Sequence, residues 1–86
     1  MSHTVEWHPK TRKFLKKLPK EIANRIITKV NDVLKNPFRY LEHYKGEKLY
    51  KLRVGDYRLL IDVDKPNKIM KVQVIGHRKN IYERLK

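Results

Sequence analysis

Residues 49–63, LYKLRVGDYRLLIDV, decide the fold of this chain. Two runs of alternating apolar and polar residues meet at Gly55 and Asp56, and this pattern predicts a β-hairpin with a two-residue loop. Glycine supplies the positive φ that such a loop requires. In this register Arg53 lies directly opposite Arg58.

The alternation gives the predicted hairpin one apolar face and one cationic face. Like charges directly across a strand pair destabilise a sheet, so the arrangement favours a negatively charged ligand, most simply phosphate. The apolar face consists of Tyr50, Leu52, Val54, Tyr57, Leu59 and Ile61, and the cationic face consists of Lys51, Arg53 and Arg58.

The composition indicates one small domain with a strong positive charge. The 86 residues allow a single folded unit, residues 1–86, with one modest core. The 22 Lys and Arg residues outnumber the 9 Asp and Glu residues, for a formal net charge of +13. This charge favours nucleic acid, an acidic protein or an anionic membrane as a partner. The alternative is a charge that serves only solubility or life at high temperature.

Cysteine is absent, which excludes a disulfide framework and a thiolate metal site. The N-terminal segment carries closely spaced charges and lacks the apolar core of a signal peptide. No run approaches the ~18 apolar residues of a spanning helix. We therefore expect a cytoplasmic protein with no membrane partner.

Two helices are predicted in the N-terminal half of the chain. An alternating strand over residues 4–8 ends at Pro9, whose fixed φ suits the first turn of a helix over residues 10–17. Pro19 begins a second helix over residues 19–35, in which apolar residues recur every three or four positions. This apolar stripe consists of Ile22, Ile26, Val30, Val33 and Leu34.

The C-terminal half predicts strands. Residues 38–46 are expected to form an irregular connection before the hairpin, and residues 68–77 a further strand with Met70, Val72 and Val74 on its apolar face. The order is βααβββ, an α+β fold in which an antiparallel sheet carries both N-terminal helices on one face. The other face would be open and would carry the cations of the hairpin.

The order of elements, the hairpin pattern L-Y-K-L-R-x-G-x-Y-R-L and a later G-H-R-x-x-I-Y resemble the RelE family of toxin–antitoxin ribonucleases, within the RelE/ParE superfamily. The resemblance extends over residues 5–85. It implies the toxin of a type II toxin–antitoxin system, an endoribonuclease (mRNA interferase) that enters the ribosomal A site. There it would cut messenger RNA without a metal, by attack of a ribose 2′-hydroxyl on the adjacent phosphate, and so inhibit translation.

By motif, the resemblance implies a catalytic set of Lys51, Arg53, Arg58, Arg78 and Tyr82. Arg53 and Arg58 offer the forked donors that match phosphate oxygens in the transition state. Neighbouring positive charges disfavour the protonated form of Lys51, which makes it the candidate general base. Arg78 is expected to stabilise charge at the leaving oxygen, and Tyr82 either to stack on a base or to anchor the tail. The better-known bacterial form has lysine in place of Arg53 and a longer segment between Arg78 and Tyr82.

Further residues are expected to support this set. His77 is a candidate for proton transfer, because imidazole titrates near neutral pH. No spacing of potential ligands indicates a metal, and the resemblance implies no cofactor. Candidate RNA-binding lysines are Lys45, Lys48, Lys71 and Lys79.

The resemblance also implies partners. These are the ribosome with its messenger RNA, and a RelB-like antitoxin whose acidic and apolar residues would cover the cationic face. A toxin–antitoxin heterotetramer is one assembly that stays open. Two other functions also stay open: a ParE-like toxin that inhibits a topoisomerase such as DNA gyrase without catalysis, and a basic nucleic-acid-binding module.

Overall fold

A computed structural model describes residues 3–46 and 49–81, with Lys45 described by its backbone alone. The helices are α1 (Pro9–Lys17), α2 (Lys20–Val33) and α3 (Pro37–Tyr40). The strands are β1 (Thr4–Trp7), β2 (Glu42–Lys45), β3 (Leu49–Val54), β4 (Tyr57–Asp64) and β5 (Ile69–His77). Within the described residues, no helix has both the length and the apolar character needed to cross a membrane.

The strands form one five-stranded sheet in the order β1-β5-β4-β3-β2. The α+β class and the helices packed on the sheet are confirmed, but a purely antiparallel sheet is wrong, because β1 pairs with β5 in parallel. Alternation along a strand carries no information about the direction of its neighbour. The expectation of an irregular connection over residues 38–46 is also wrong, since α3 and β2 lie there. Both are four-residue elements, too short to produce a clear periodic pattern.

The β3–β4 hairpin has the predicted register. Val54 pairs with Tyr57 and Arg53 pairs with Arg58 across the two-residue loop. Gly55 has a φ of 58°, the left-handed value that places glycine at the first loop position of a type II′ turn. The turn therefore fixes which side chains of β3 and β4 share a face.

The core lies between the helices and the apolar face of the sheet. Ile26, Val30 and Val33 of the α2 stripe are fully buried, as are Leu59 and Ile61 of β4. Phe14 and Leu15 of α1, with Leu18 at its C-terminal end, are half-buried and pack on the edge of this cluster. The core thus fixes the hairpin with its cationic face turned away from the helices.

A β-bulge in β5 changes the predicted face of its C-terminal half. Leu60 pairs with Val74 and Ile61 pairs with Val72, so Gln73 is an extra residue on the β5 side. The expectation that Val74 shares the apolar face is therefore wrong. Ile75 joins the core in its place and is 1% exposed.

The face opposite the helices is less open than the alternation predicts. Leu60 belongs to this face and is fully buried, although it lies outside the main core cluster. Ile81, also fully buried, lies so close over Gly76 that a Cβ on this glycine would meet the Ile81 Cδ1 at 3.0 Å. The sheet face that carries the hairpin cations is thus partly covered by Ile81.

Candidate active site

Four cationic side chains line one cavity of about 200 Å³ on the face opposite the helices. β3 supplies Lys51 and Arg53, β4 supplies Arg58, and the turn after β5 supplies Arg78. The carboxylate of Glu42, in β2, is also part of the lining. Four of the five residues predicted for the catalytic set are thus neighbours in space.

A backbone contact brings Arg78 to the hairpin. Its N–H donates a hydrogen bond of 2.8 Å to the Asp56 carbonyl oxygen in the β3–β4 loop. The Arg78 Nε lies 3.9 Å from Oδ1 of the same aspartate, and the two side chains are 56% and 68% exposed. At this distance and exposure the ion pair is weak, so the guanidinium remains available to a ligand.

The guanidinium of Arg58 is held against its own turn. Its Nη1 donates hydrogen bonds of 2.9 Å to the carbonyl oxygens of both Gly55 and Tyr57. A guanidinium has five N–H donors, so Nε and Nη2 are left to face a ligand. The backbone contacts orient the planar group, which reduces the entropy lost when it binds a phosphate.

Lys51 forms an ion pair with Glu42, with 3.4 Å between Nζ and Oε2. These side chains are 34% and 66% exposed, and ion pairs this exposed contribute less than ~1 kcal/mol. A dianionic or monoanionic phosphate can therefore replace the carboxylate on Lys51. Arg53 is exposed and has no ion pair within the described part of the chain.

The lining has a surplus of three positive charges when all five side chains are ionised. Among the described residues, neither Arg53 nor Arg58 pairs with Asp62, the internal partner that the sequence offered as an alternative. The other partner considered, Glu47, lies outside the described residues. A surplus of positive charge with forked donors is the arrangement that suits a phosphate group.

His77 does not face this cavity. The bulge in β5 places it opposite Tyr57, with 5.7 Å between the ring centroids, and Tyr57 packs against the core. Its Nδ1 accepts a hydrogen bond of 3.3 Å from the backbone N–H of Lys79. The expectation that strand alternation turns His77 toward the open face is therefore wrong, because one inserted residue reverses the alternation.

The predicted RNA-binding lysines are dispersed. Lys71 is half-buried on β5, opposite Asp62, and Lys79 is exposed in the turn that follows β5; neither lines the cavity. Tyr82, Lys48 and the side chain of Lys45 lie outside the described residues. In the ranges 3–46 and 49–81, no group of three or more His, Asp or Glu side chains could hold a metal ion.

Sequence reasoning missed two acidic residues at this site, Glu42 and Asp56. Glu42 was hidden because residues 38–46 were expected to be irregular, whereas pairing of β2 with β3 places it opposite Lys51. Residues 41–45, L-E-H-Y-K, show no regular alternation of apolar and polar residues, so the sequence offered no signal for this strand. Asp56 was assigned to the turn alone, but it also contacts Arg78 through backbone and side chain.

The fold and the site together define a small basic α+β protein with a cavity lined by four cations on the sheet face away from its helices. The family model described as the ParE toxin of type II toxin–antitoxin systems, parDE, matches residues 5–82. The chain belongs to this family, and the predicted membership of the RelE/ParE superfamily of toxins is confirmed. Among curated proteins, none matches the chain.

Solved structures of toxin–antitoxin complexes have similar chains. A chain of the RelBE2 complex from Mycobacterium tuberculosis is 26% identical, with a TM-score of 0.81 over 91% of this chain and 100% of that chain. The archaeal RelE–RelB complex from Pyrococcus horikoshii OT3 gives 26% identity and a TM-score of 0.76, over 91% and 97%. The RelB–RelE complex from Methanococcus jannaschii gives 28% identity and a TM-score of 0.66, over 90% and 94%. The protein is thus a toxin with the RelE fold.

Proposed function

We propose that this toxin is an endoribonuclease that cuts messenger RNA in the ribosomal A site and so stops translation. The observation that supports this proposal is the convergence of Lys51, Arg53, Arg58 and Arg78 on one cavity. A protein that needed its charge only for solubility would gain nothing from this concentration, because like charges repel one another across the strands.

The proposed chemistry is an internal transesterification. The scissile phosphate enters the cavity, where Arg53 and Arg58 hydrogen-bond its non-bridging oxygens and Lys51 supplies a point charge. The ribose 2′-hydroxyl attacks phosphorus, and the same donors stabilise the extra negative charge of the phosphorane. Arg78 stabilises the leaving 5′-oxygen. No metal is part of this proposal, because side chains provide the charge stabilisation that a metal would provide.

The ribosome is proposed to position the substrate. The cavity is lined by charged side chains alone, which recognise a phosphate by its charge and oxygens and do not by themselves align a flexible RNA for in-line attack. A message held in the decoding site is already ordered. The predicted stacking of Tyr82 on a displaced base would add to this alignment.

We also propose an antitoxin partner. Several of the similar solved structures are complexes of RelE with RelB, which motivates a RelB-like protein that neutralises this toxin. A net charge of +13 suits an acidic partner and gives fast, electrostatically steered association. A toxin–antitoxin heterotetramer remains one proposed assembly. Action on ribosomes implies a cytoplasmic location.

Primer extension on ribosomes programmed with a defined message tests the proposal. We expect cuts within the A-site codon, and a rate on the same naked RNA that is lower by orders of magnitude. Arg58→Ala should lower the rate on ribosomes by roughly 10²–10³, the usual effect of removing one transition-state donor. Arg12→Ala, at an exposed position of α1, removes the same charge elsewhere and should leave the rate unchanged. Equal rates on ribosomes and on naked RNA would count against ribosome dependence.

The family match supports a second candidate, because the matching model describes ParE toxins. In that function the cavity would hold phosphates without chemistry, and the target would be a topoisomerase. A gyrase supercoiling assay separates the two: inhibition of supercoiling with intact ribosome-bound message would favour the ParE-like function.

A further inference from the structure

We propose that Glu42 is the general base that removes the proton from the attacking 2′-hydroxyl. This assignment rests on the proposed ribonuclease function and adds a catalytic residue to it. Its basis is the position of one carboxylate within a cavity that is otherwise lined by cations.

Strand pairing fixes the position of Glu42. β2 runs antiparallel to β3, and Glu42 pairs with Lys51, so both side chains project from the same face of the sheet. The carboxylate Oε2 lies 3.4 Å from the Lys51 Nζ. The Glu42 side chain is 66% exposed, which leaves it free to turn toward a ribose at the mouth of the cavity.

The other lining groups are poorly suited to accept a proton. A guanidinium is a donor only and stays protonated in proteins, which removes Arg53, Arg58 and Arg78 as bases. Lys51 was the base predicted from the sequence, but its Nζ lies 3.4 Å from the Glu42 carboxylate, and we assign it the role of a cation that binds the phosphate. His77 faces Tyr57 on the helix side of the sheet. Of the described residues that line the cavity, Glu42 alone carries a proton acceptor.

Substrate binding would release this acceptor. The scissile phosphate competes with Glu42 for Lys51, and once the phosphate binds, the carboxylate is free beside the nucleophile. Glu42 then takes the 2′-hydroxyl proton while the 2′-oxygen forms a bond to phosphorus. The bond from phosphorus to the 5′-oxygen breaks with its electron pair, and the 5′-oxygen takes a proton from water. The hydroxide left behind is neutralised by the proton on Glu42, so the products are a 2′,3′-cyclic phosphate and a 5′-hydroxyl.

A purely electrostatic role for Glu42 predicts the opposite result. If the carboxylate only neutralised Lys51, its removal would free a cation and strengthen phosphate binding. Cutting would then stay the same or become faster. The direction of the change therefore distinguishes a base from a counterion.

The test is single-turnover cleavage of programmed ribosomes by Glu42→Gln. We expect a rate roughly 10²–10⁴ lower, the usual contribution of a general base, with ribosome affinity unchanged or tighter. Glu42→Asp, which retains a carboxylate, should recover part of the rate. Glu21→Gln, the same change on α2, is the matched control and should behave as wild type.

The outcomes separate this assignment from the function on which it rests. Wild-type protein that leaves ribosome-bound message intact overturns the proposed function, and the assignment with it. Active wild-type protein together with an equally active or faster Glu42→Gln overturns the assignment alone. An Asp variant as inactive as the Gln variant, with the thermal unfolding of both unchanged, also overturns it.

Discussion

Replacing Arg53 measures how much a single cation of the cavity contributes to the cleavage rate. It is exposed, lines the cavity and has no ion pair among the described residues, so its replacement should not lower the melting temperature. We expect Arg53→Ala to lower single-turnover cleavage on ribosomes by roughly 10²–10³. Arg53→Lys keeps the positive charge but not the forked N–H donors of the guanidinium, and it should lose less activity than Arg53→Ala. A fully active Arg53→Ala would contradict a role for this cation in the transition state.

The residues that sequence predicted correctly are those that one local rule determines. A glycine-containing two-residue loop fixes the register of the hairpin, and the register fixes that Lys51, Arg53 and Arg58 share a face. No local rule of this kind determines the position of Glu42. Its place beside Lys51 depends on pairing with β2, an element too short to recognise from its pattern.

At the scale of elements, β5 determines which side chains reach the cavity. Its bulge moves Ile75 into the core and turns His77 toward Tyr57. A single inserted residue cannot be found by counting alternate positions, because the pattern before and after it looks regular. Helix α2 was predictable because its apolar stripe extends over several turns, whereas the four-residue α3 carries no such stripe. The parallel pairing of β1 was not, since it depends on how the whole chain packs.

Gly76 in β5 provides a test of the packing beneath the C-terminal turn. A Cβ at this position would meet the Ile81 Cδ1 at 3.0 Å and the Ile81 Cα at 3.4 Å. We expect Gly76→Ala to lower the free energy of unfolding by about 1–3 kcal/mol, the usual effect of overpacking, as measured by urea denaturation.

Trimming the opposing side chain gives the control for this prediction. Ile81→Val removes the Cδ1 atom that a Cβ on residue 76 would meet. The double variant Gly76→Ala/Ile81→Val should therefore lose less free energy of unfolding than the sum of the losses in the two single variants. Strictly additive effects would contradict direct contact between these positions.

At the scale of the whole molecule, the net charge of +13 complicates any functional test. Such a protein binds RNA, ribosomes and acidic proteins through charge alone, with affinities that fall steeply as salt rises. Binding therefore does not distinguish an enzyme from a basic binding module. An enzyme differs from such a module in that the cations of its cavity stabilise a reacting phosphate. The two functions are therefore distinguished by measuring cleavage, not binding.

The central claim is that the cationic cavity promotes attack by a ribose 2′-hydroxyl, and a message with one 2′-deoxynucleotide at the mapped cleavage position tests it most directly. Cleavage of programmed ribosomes would be followed with this message and with its all-ribose counterpart, and the product ends would be identified. We predict that the ribose message yields 2′,3′-cyclic phosphate and 5′-hydroxyl ends, while the deoxy message stays intact although the toxin still binds the ribosome. Equal cleavage of both messages, or arrested translation with neither message cut, would contradict this account.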